Sequence, residues 1–320
     1  MPGNRRVEIR HILLGFSLTV CVVGLSGCEG RRTVGAPTLE VKQTASQIIV
    51  EAHGKPIVIY QVTAAWKPYV KEFRNTAGIN VVRDGPSDHL HHHGVMFALR
   101  VDGVNFWEEQ AQSGRQEHRE WLPVVQGVAA GVNYVSFGHI LAWTRLGDSV
   151  PLLEETRRLT IFKAEDLGAL LMDWSSRLTA PRDREGVVLS GPKYVGLGVR
   201  FAKSMDSGGK FRNAKGESGV RGTDGAEAAW TAYSGPVSWR RTATVAVFGD
   251  PNNPPLWFTL DEPFAYLSAT LGLERRPLRL SKGERLELRY GLAVWDGSPE
   301  STRIQAVYER WQALVQTLTP

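Results

Sequence analysis

Four of the chain's eight histidines fall between positions 89 and 93, in Asp88-His89-Leu90-His91-His92-His93-Gly94. Imidazole is the commonest protein ligand for metals and the side chain that most readily gives or takes a proton near neutral pH. Such a dense group beside an aspartate points to a metal site or to general acid-base work. Extended backbone would send His89, His91 and His93 one way and His92 the other, whereas a bent loop would gather Asp88, His89, His91 and His92. His93 shares its phase with Val95, Phe97, Leu99 and Val101 and is expected to be a packed histidine. Loop histidines also cap turns and bond backbone without doing chemistry, so that reading stays open for all four.

The candidate catalytic residues are His89, His91, His92 and His118, together with Glu108 and Glu109. The candidate metal set, for a divalent ion, is Asp88, His89, His91 and His92. Neighbouring Arg83, Asp84 and Trp107 are candidates for substrate contact: Arg83 would orient an anionic group or simply pair with Asp84, and tryptophan faces suit sugar rings.

The elements that must position these residues read as strands. Arg83-Asp84-Gly85-Pro86 is a turn, and positions 93–101 alternate with period two. Asp102-Gly103 is a hairpin signal before Val104-Asn105-Phe106-Trp107. Further strands are expected around Leu39 to Val62, Trp121 to Val128, Val132 to Trp143, Glu154 to Phe162, Leu170 to Thr179 and Tyr194 to Phe201. In the second half they lie at Ala243 to Phe248, Leu256 to Leu260, Phe264 to Ala269 and Glu284 to Trp295. His139 falls on an apolar face and is expected in the core. Residues 203–226, glycine-rich and charged, read as a long loop, a candidate lid. Ser298-Pro299-Glu300 opens a helix whose apolar stripe runs Ile304, Val307, Tyr308, Trp311, Leu314, Val315 and Leu318. The pattern implies an all-β chain, one large antiparallel β-sandwich over 38–320 closed by a C-terminal α-helix.

Before that domain, residues 1–27 have the order of a lipoprotein signal peptide: basic Arg5, Arg6 and Arg10, an apolar run from Ile12 to Leu25, then Leu25-Ser26-Gly27-Cys28. This predicts export, lipidation of Cys28 and a tether over 28–37. The chain would then be held on a bilayer, the cell membrane or the outer membrane, with its domain in the periplasm or at the cell surface. Cys21 lies in the leader and Cys28 would carry lipid, so a mature domain would have no thiol for a disulfide, a nucleophile or a zinc-thiolate site. Removing 1–27 takes away three Arg and one Glu and lowers the formal charge from +5 to +3. With no basic block interleaved with aromatics, nucleic acid is not an expected partner.

Lys67-Pro68-Tyr69, Val82-Arg83-Asp84, Asp88-His89-Leu90-His91-His92, Val104-Asn105-Phe106-Trp107 and Gly114 to His118 together resemble the PmoA-like family, a bacterial domain of unknown function often labelled methane oxygenase. The resemblance continues through Tyr194 to Leu197, Trp230 to Gly235, Asp250 to Pro254 and Gly283 to Gly297. The chain departs from the family pattern at Leu90, where proline is usual, and at Trp295, where histidine is usual. The resemblance implies a sandwich similar to galactose-mutarotase-like folds, whose members mostly handle carbohydrates. Three readings follow: a carbohydrate-active epimerase, lyase or glycoside-cleaving enzyme; a non-catalytic glycan-binding lipoprotein; and redox chemistry at a three-nitrogen copper or iron site, as the label suggests.

Overall fold

The computed structural model describes residues 39–63, 65–164 and 167–318; the leader, Cys28 and the tether lie outside the described residues. Period-two alternation becomes β1 (Leu39–Gln43), β2 (Gln47–Ala52), β3 (Lys55–Gln61), β4 (Tyr69–Phe73), β5 (Val95–Ala98), β6 (Arg100–Val101), β7 (Val104–Asn105), β8 (Arg115–Ala129), β9 (Val132–Thr144) and β10 (Leu153–Ala164). The second half supplies β11 (Ala169–Thr179), β12 (Gly186–Ser190), β13 (Gly196–Arg200), β14 (Lys210–Asn213), β15 (Trp230–Ser238), β16 (Arg241–Gly249), β17 (Leu256–Leu260), β18 (Tyr266–Thr270), β19 (Leu278–Ser281) and β20 (Arg285–Asp296). The helices are α1 (Gly219–Thr223) and α2 (Ser301–Leu318).

The fold is an all-β antiparallel sandwich with a C-terminal helix. One eight-stranded sheet has the order β1-β2-β3-β4-β5-β13-β18-β17, and a second runs β14-β15-β16-β20-β11-β10-β9-β8. A small sheet, β19-β12-β6-β7, completes the set. The main core lies between the large sheets, where Tyr60, Phe97, Phe137, Trp143, Trp174 and Leu197 belong to one buried cluster. Helix α2 covers the other face of the second sheet with the stripe read in the sequence: Ile304, Val307, Tyr308, Trp311, Leu314 and Val315 are buried. Trp295 joins this second cluster under α2.

On β11, Asp173 is buried and accepts a hydrogen bond from Trp311 Nε1 of α2 at 3.0 Å. One expectation changes. Residues 203–226 are no long loop: they form β14 on a sheet edge and α1, and none of them lines the cavity described below. Phe211 and Met205 bury their side chains there, which fixes the segment despite its glycines.

Polar groups stitch the two large sheets together. Arg157 and Glu155, both fully buried on β10, make a bidentate pair at 2.8 Å through Nε and Nη2. Arg157 also donates to the carbonyl of Pro68 at 3.0 Å, to Gln116 Oε1 at 2.9 Å and to Tyr60 Oη at 3.3 Å. Glu155 in turn accepts from Trp143 Nε1 and Ser176 Oγ. The buried charges are thus paired and hydrogen-bonded, as a low-dielectric interior demands.

Candidate functional site

The histidine segment connects β4 to β5 of the first sheet and is bent, not extended. His89 N donates to Pro86 O, His92 N to His89 O, and Gly85 N to His92 O, each at 2.9 Å, which curls 85–92 into a closed turn. Gly94 fixes its exit: its φ is +22°, and a Cβ there would lie 1.9 Å from the Val70 carbonyl oxygen. Because the backbone turns at Gly94, His93 loses the phase of β5 and does not join the apolar face expected for it.

The turn gathers three imidazoles. His89 stacks on His92 with ring centroids 4.7 Å apart, and His91 meets His92 edgewise at 4.6 Å. All three line a cavity of about 320 Å³ with Trp107, Glu108, Tyr194, Phe258, Leu260, Phe264 and Tyr266. That volume is at the small end of the usual range for small-molecule sites. One glycine of β13 makes the room. Gly198 faces Tyr266 and Trp107 so closely that a Cβ would fall 1.7 Å from Tyr266 Oη and 3.0 Å from the Trp107 ring. Leu197 and Val199, on the opposite phase, are buried in the core.

Glu108 accepts hydrogen bonds from Tyr194 Oη at 2.8 Å and from Asn105 Nδ2. Burial works to raise its pKa, but these bonds outweigh it and hold the carboxyl below its ordinary value. Burial lowers His91, assisted by the nearby Lys67 charge. Burial, with His91 and His89 alongside, pushes His92 down to about 2. At neutral pH the cavity therefore holds an ionised carboxylate and two neutral imidazoles.

The metal set does not converge. Asp88 turns to Arg200 Nη2 at 3.0 Å and His89 Nδ1 at 3.2 Å, while the three rings pack on one another instead of fanning around a point. Among the described residues no three His, Cys, Asp or Glu side chains are disposed to hold one metal ion. As arranged, the donors do not fit a metal, and no step below is routed through one. Arg83 leaves Asp84 and reaches Asp206 at 3.4 Å.

Glu109 and His93 work behind the cavity wall. His93 Nδ1 lies 2.7 Å from Asp84 Oδ1 and its Nε2 lies 2.9 Å from Glu109 Oε1. Tyr69 stacks on the ring at 4.2 Å and donates to Asp84 at 3.1 Å. Buried Lys67 donates to Glu109 Oε1 at 2.7 Å and to the Trp107 carbonyl at 2.9 Å. This chain of contacts ties the histidine turn to the segment bearing Trp107 and Glu108. Burial opposes a charge on His93, but the two carboxylates outweigh it and raise its pKa; Glu109 is lowered, its own burial being outweighed by His93 and Lys67.

A pH dependence follows. The His93 contribution is complete below its unfolded value near 6.5 and is lost as pH rises through the raised folded value. The Glu109 contribution is present above about 4.5 and is lost as pH falls through its depressed value. The thermal midpoint difference between the native chain and His93→Gln should be largest between these limits and shrink on either side. A difference flat from pH 5 to 9 would contradict the clamp.

His118 is elsewhere. It sits on β8 of the second sheet, with its Nδ1 3.1 Å from His139 Nδ1 and its ring 4.5 Å from Trp121, and it does not line the cavity. His139 is fully buried, as its apolar phase implied, and its Nε2 lies 2.8 Å from Tyr60 Oη in the inter-sheet network. Sequence reasoning missed Tyr194, Phe258, Phe264 and Tyr266. Each reads as an ordinary core aromatic, and Gly198 is the one sign in the sequence that large rings cross that face.

The model of Family of unknown function (DUF6807) matches residues 47–309. The chain belongs to that family. The match overturns the resemblance to the PmoA-like family and with it the label that suggested an oxygenase. No curated protein matches this DUF6807 chain. Among solved structures, it is similar to the galactosidase domain of alpha-galactosidase-sucrose kinase, AgaSK, with a TM-score of 0.39 and 11% identity over 82% of this chain. The alignment spans 41% of that protein's chain.

Proposed function

We propose that this DUF6807 chain is a carbohydrate-active enzyme of the epimerase or lyase kind, acting in the cavity under the histidine turn. The observation that carries the reading is a pocket floored by aromatic faces, Trp107, Tyr194, Phe258 and Tyr266, with proton-accepting groups on its wall. Aromatic faces take the apolar side of a sugar ring, and polar groups at the edge read its hydroxyls.

Glu108 serves as the base that accepts a proton from the sugar, and neutral His91 donates a hydrogen bond to the oxygen on which charge develops. Glycoside cleavage fits less well. It ordinarily needs two carboxyl groups flanking the bond, and Glu108 is the one carboxylate among the residues lining the cavity. Glu109 is engaged by Lys67 and His93, which makes it a positioning residue.

The test is proton exchange followed by NMR in heavy water over a panel of mono- and disaccharides. Native protein should exchange or convert at least one sugar, and Glu108→Gln should slow it by about 10²–10⁴-fold with binding retained. Binding without turnover, unchanged in Glu108→Gln and in His91→Ala, would replace the enzyme reading with a glycan-binding protein. Elemental analysis of the purified domain tests the divalent-metal variant on Asp88, His89, His91 and His92. A stoichiometric metal lost in His89→Ala would require the rings to rearrange and would return the chemistry to a metal. The leader carries the proposals of export and of a bilayer anchor at Cys28, which labelling with a radioactive fatty acid and Cys28→Ala would check.

A further inference from the structure

Three residues lining the cavity carry a buried polar atom without a partner, of which the indole N–H can only donate and the phenol hydroxyl has a proton to give. Trp107 is 1% exposed, Tyr266 2% and His92 6%, yet Trp107 Nε1, Tyr266 Oη and His92 Nδ1 have no hydrogen-bond partner among the described residues. Beside them, Arg200 is 1% exposed, with its guanidinium 3.6 Å over the Phe264 ring; its Nη2 pairs with Asp88 at 3.0 Å and lies 3.8 Å from Asp206, while its Nε and Nη1 lack partners. Arg200 and Tyr266 are paired neighbours on β13 and β18. Burying a polar group without a partner is costly, so several in one place call for an explanation outside the protein's own bonding.

Their chemistry specifies the explanation. An indole N–H and a guanidinium can only donate, and Tyr266, whose burial holds its hydroxyl protonated, has a proton to give. Tyr266 Oη and His92 Nδ1 are also able to accept. Glu108 on the cavity wall already receives two bonds and suits the hydroxyls of a ligand. A ligand that turns hydroxyls toward Glu108 and acceptor oxygens toward Trp107 and Tyr266 would satisfy these groups together.

We infer that the cavity binds a carboxylated sugar, a uronate, with its carboxylate received by Tyr266 Oη and Trp107 Nε1 and with Arg200 behind them as the supporting charge. Phe264, stacked on Arg200, separates the guanidinium from water and so lengthens the reach of that charge. Drawing electron density into the carboxylate also acidifies the adjoining C–H, which is what an epimerase or lyase base must remove. The inference rests on the carbohydrate reading above and adds the class of sugar.

Calorimetric titration of the native domain with glucuronate, galacturonate, their neutral parent sugars and phenylacetate tests it. At least one uronate should bind about tenfold or more tighter than its parent sugar, and Tyr266→Phe should erase about tenfold of that preference. Tyr266→Phe should also raise the melting temperature, because it removes a buried hydroxyl with no protein partner; a purely structural tyrosine would lower it. Neutral sugars binding as well as uronates would overturn the carboxylate assignment and leave the carbohydrate reading standing. Phenylacetate binding with no sugar bound would sink the carbohydrate reading and keep the acceptor assignment for another acid. No binding by any of them would overturn both.

Discussion

Replacing Arg157 with leucine is expected to cost about 3–5 kcal/mol of folding stability, a large part of what a domain ordinarily has. The guanidinium satisfies Glu155 twice, Gln116, the Pro68 carbonyl and Tyr60, and both charged groups are fully buried. Leucine would leave Glu155 ionised in an apolar core with only Trp143 and Ser176 to bond it. Glu155 would either remain charged at that cost or take up a proton, and both routes destabilise the native state. Urea denaturation measures the loss. The double variant Arg157→Leu with Glu155→Leu should recover part of it, since the lone charge is gone, but not all, because Gln116, Tyr60 and Trp143 still lose partners. A loss under about 1 kcal/mol in the single variant would mean that the network does not hold the sheets together.

This network also shows where sequence pattern stops being informative. Alternation located most of the strands, since a half-buried strand must alternate, but not β4, β12, β14, β15 or β19, and the stripe of α2 followed the helical period. It did not reveal that the chemistry-bearing residues divide between two sites. His118 and His139 became cross-strand neighbours on the second sheet, whereas His89, His91 and His92 were closed into a turn on the first. Which strands pair is a long-range decision, and nothing local to His118 records it. His93 illustrates a smaller limit: counting in twos from Val95 placed it on the apolar face, but Gly94 at φ +22° interrupts the count. The cavity aromatics escaped notice for the opposite reason. Tyr266 and Phe258 occupy strands that look like core, and only the missing Cβ of Gly198 shows that one side of that sheet was kept open.

That missing Cβ makes Gly198→Ala the sharpest probe of the site. Its backbone dihedral is not in the left-handed region, so alanine brings no backbone strain and the whole effect is steric. The new methyl would lie 1.7 Å from Tyr266 Oη, 2.8 Å from its Cζ and 3.0 Å from Trp107. Neither ring can yield toward the packed core, and both border the cavity, so both must move into it. Overpacking of this kind costs about 1–3 kcal/mol where nothing can give, and the available hollow should keep the stability loss near the lower figure. Binding has no such relief, because the rings would occupy the ligand's own volume and carry Tyr266 Oη and Trp107 Nε1 out of place. A displacement of about 1 Å is enough for roughly a hundredfold loss, so ligand affinity and turnover should fall by about that factor or more while the protein stays folded. Calorimetry against the tightest-binding sugar, alongside a melting curve, separates the two effects. Full affinity in a folded Gly198→Ala protein would remove the cavity over β13 and β18 from consideration as the place where this chain meets its ligand.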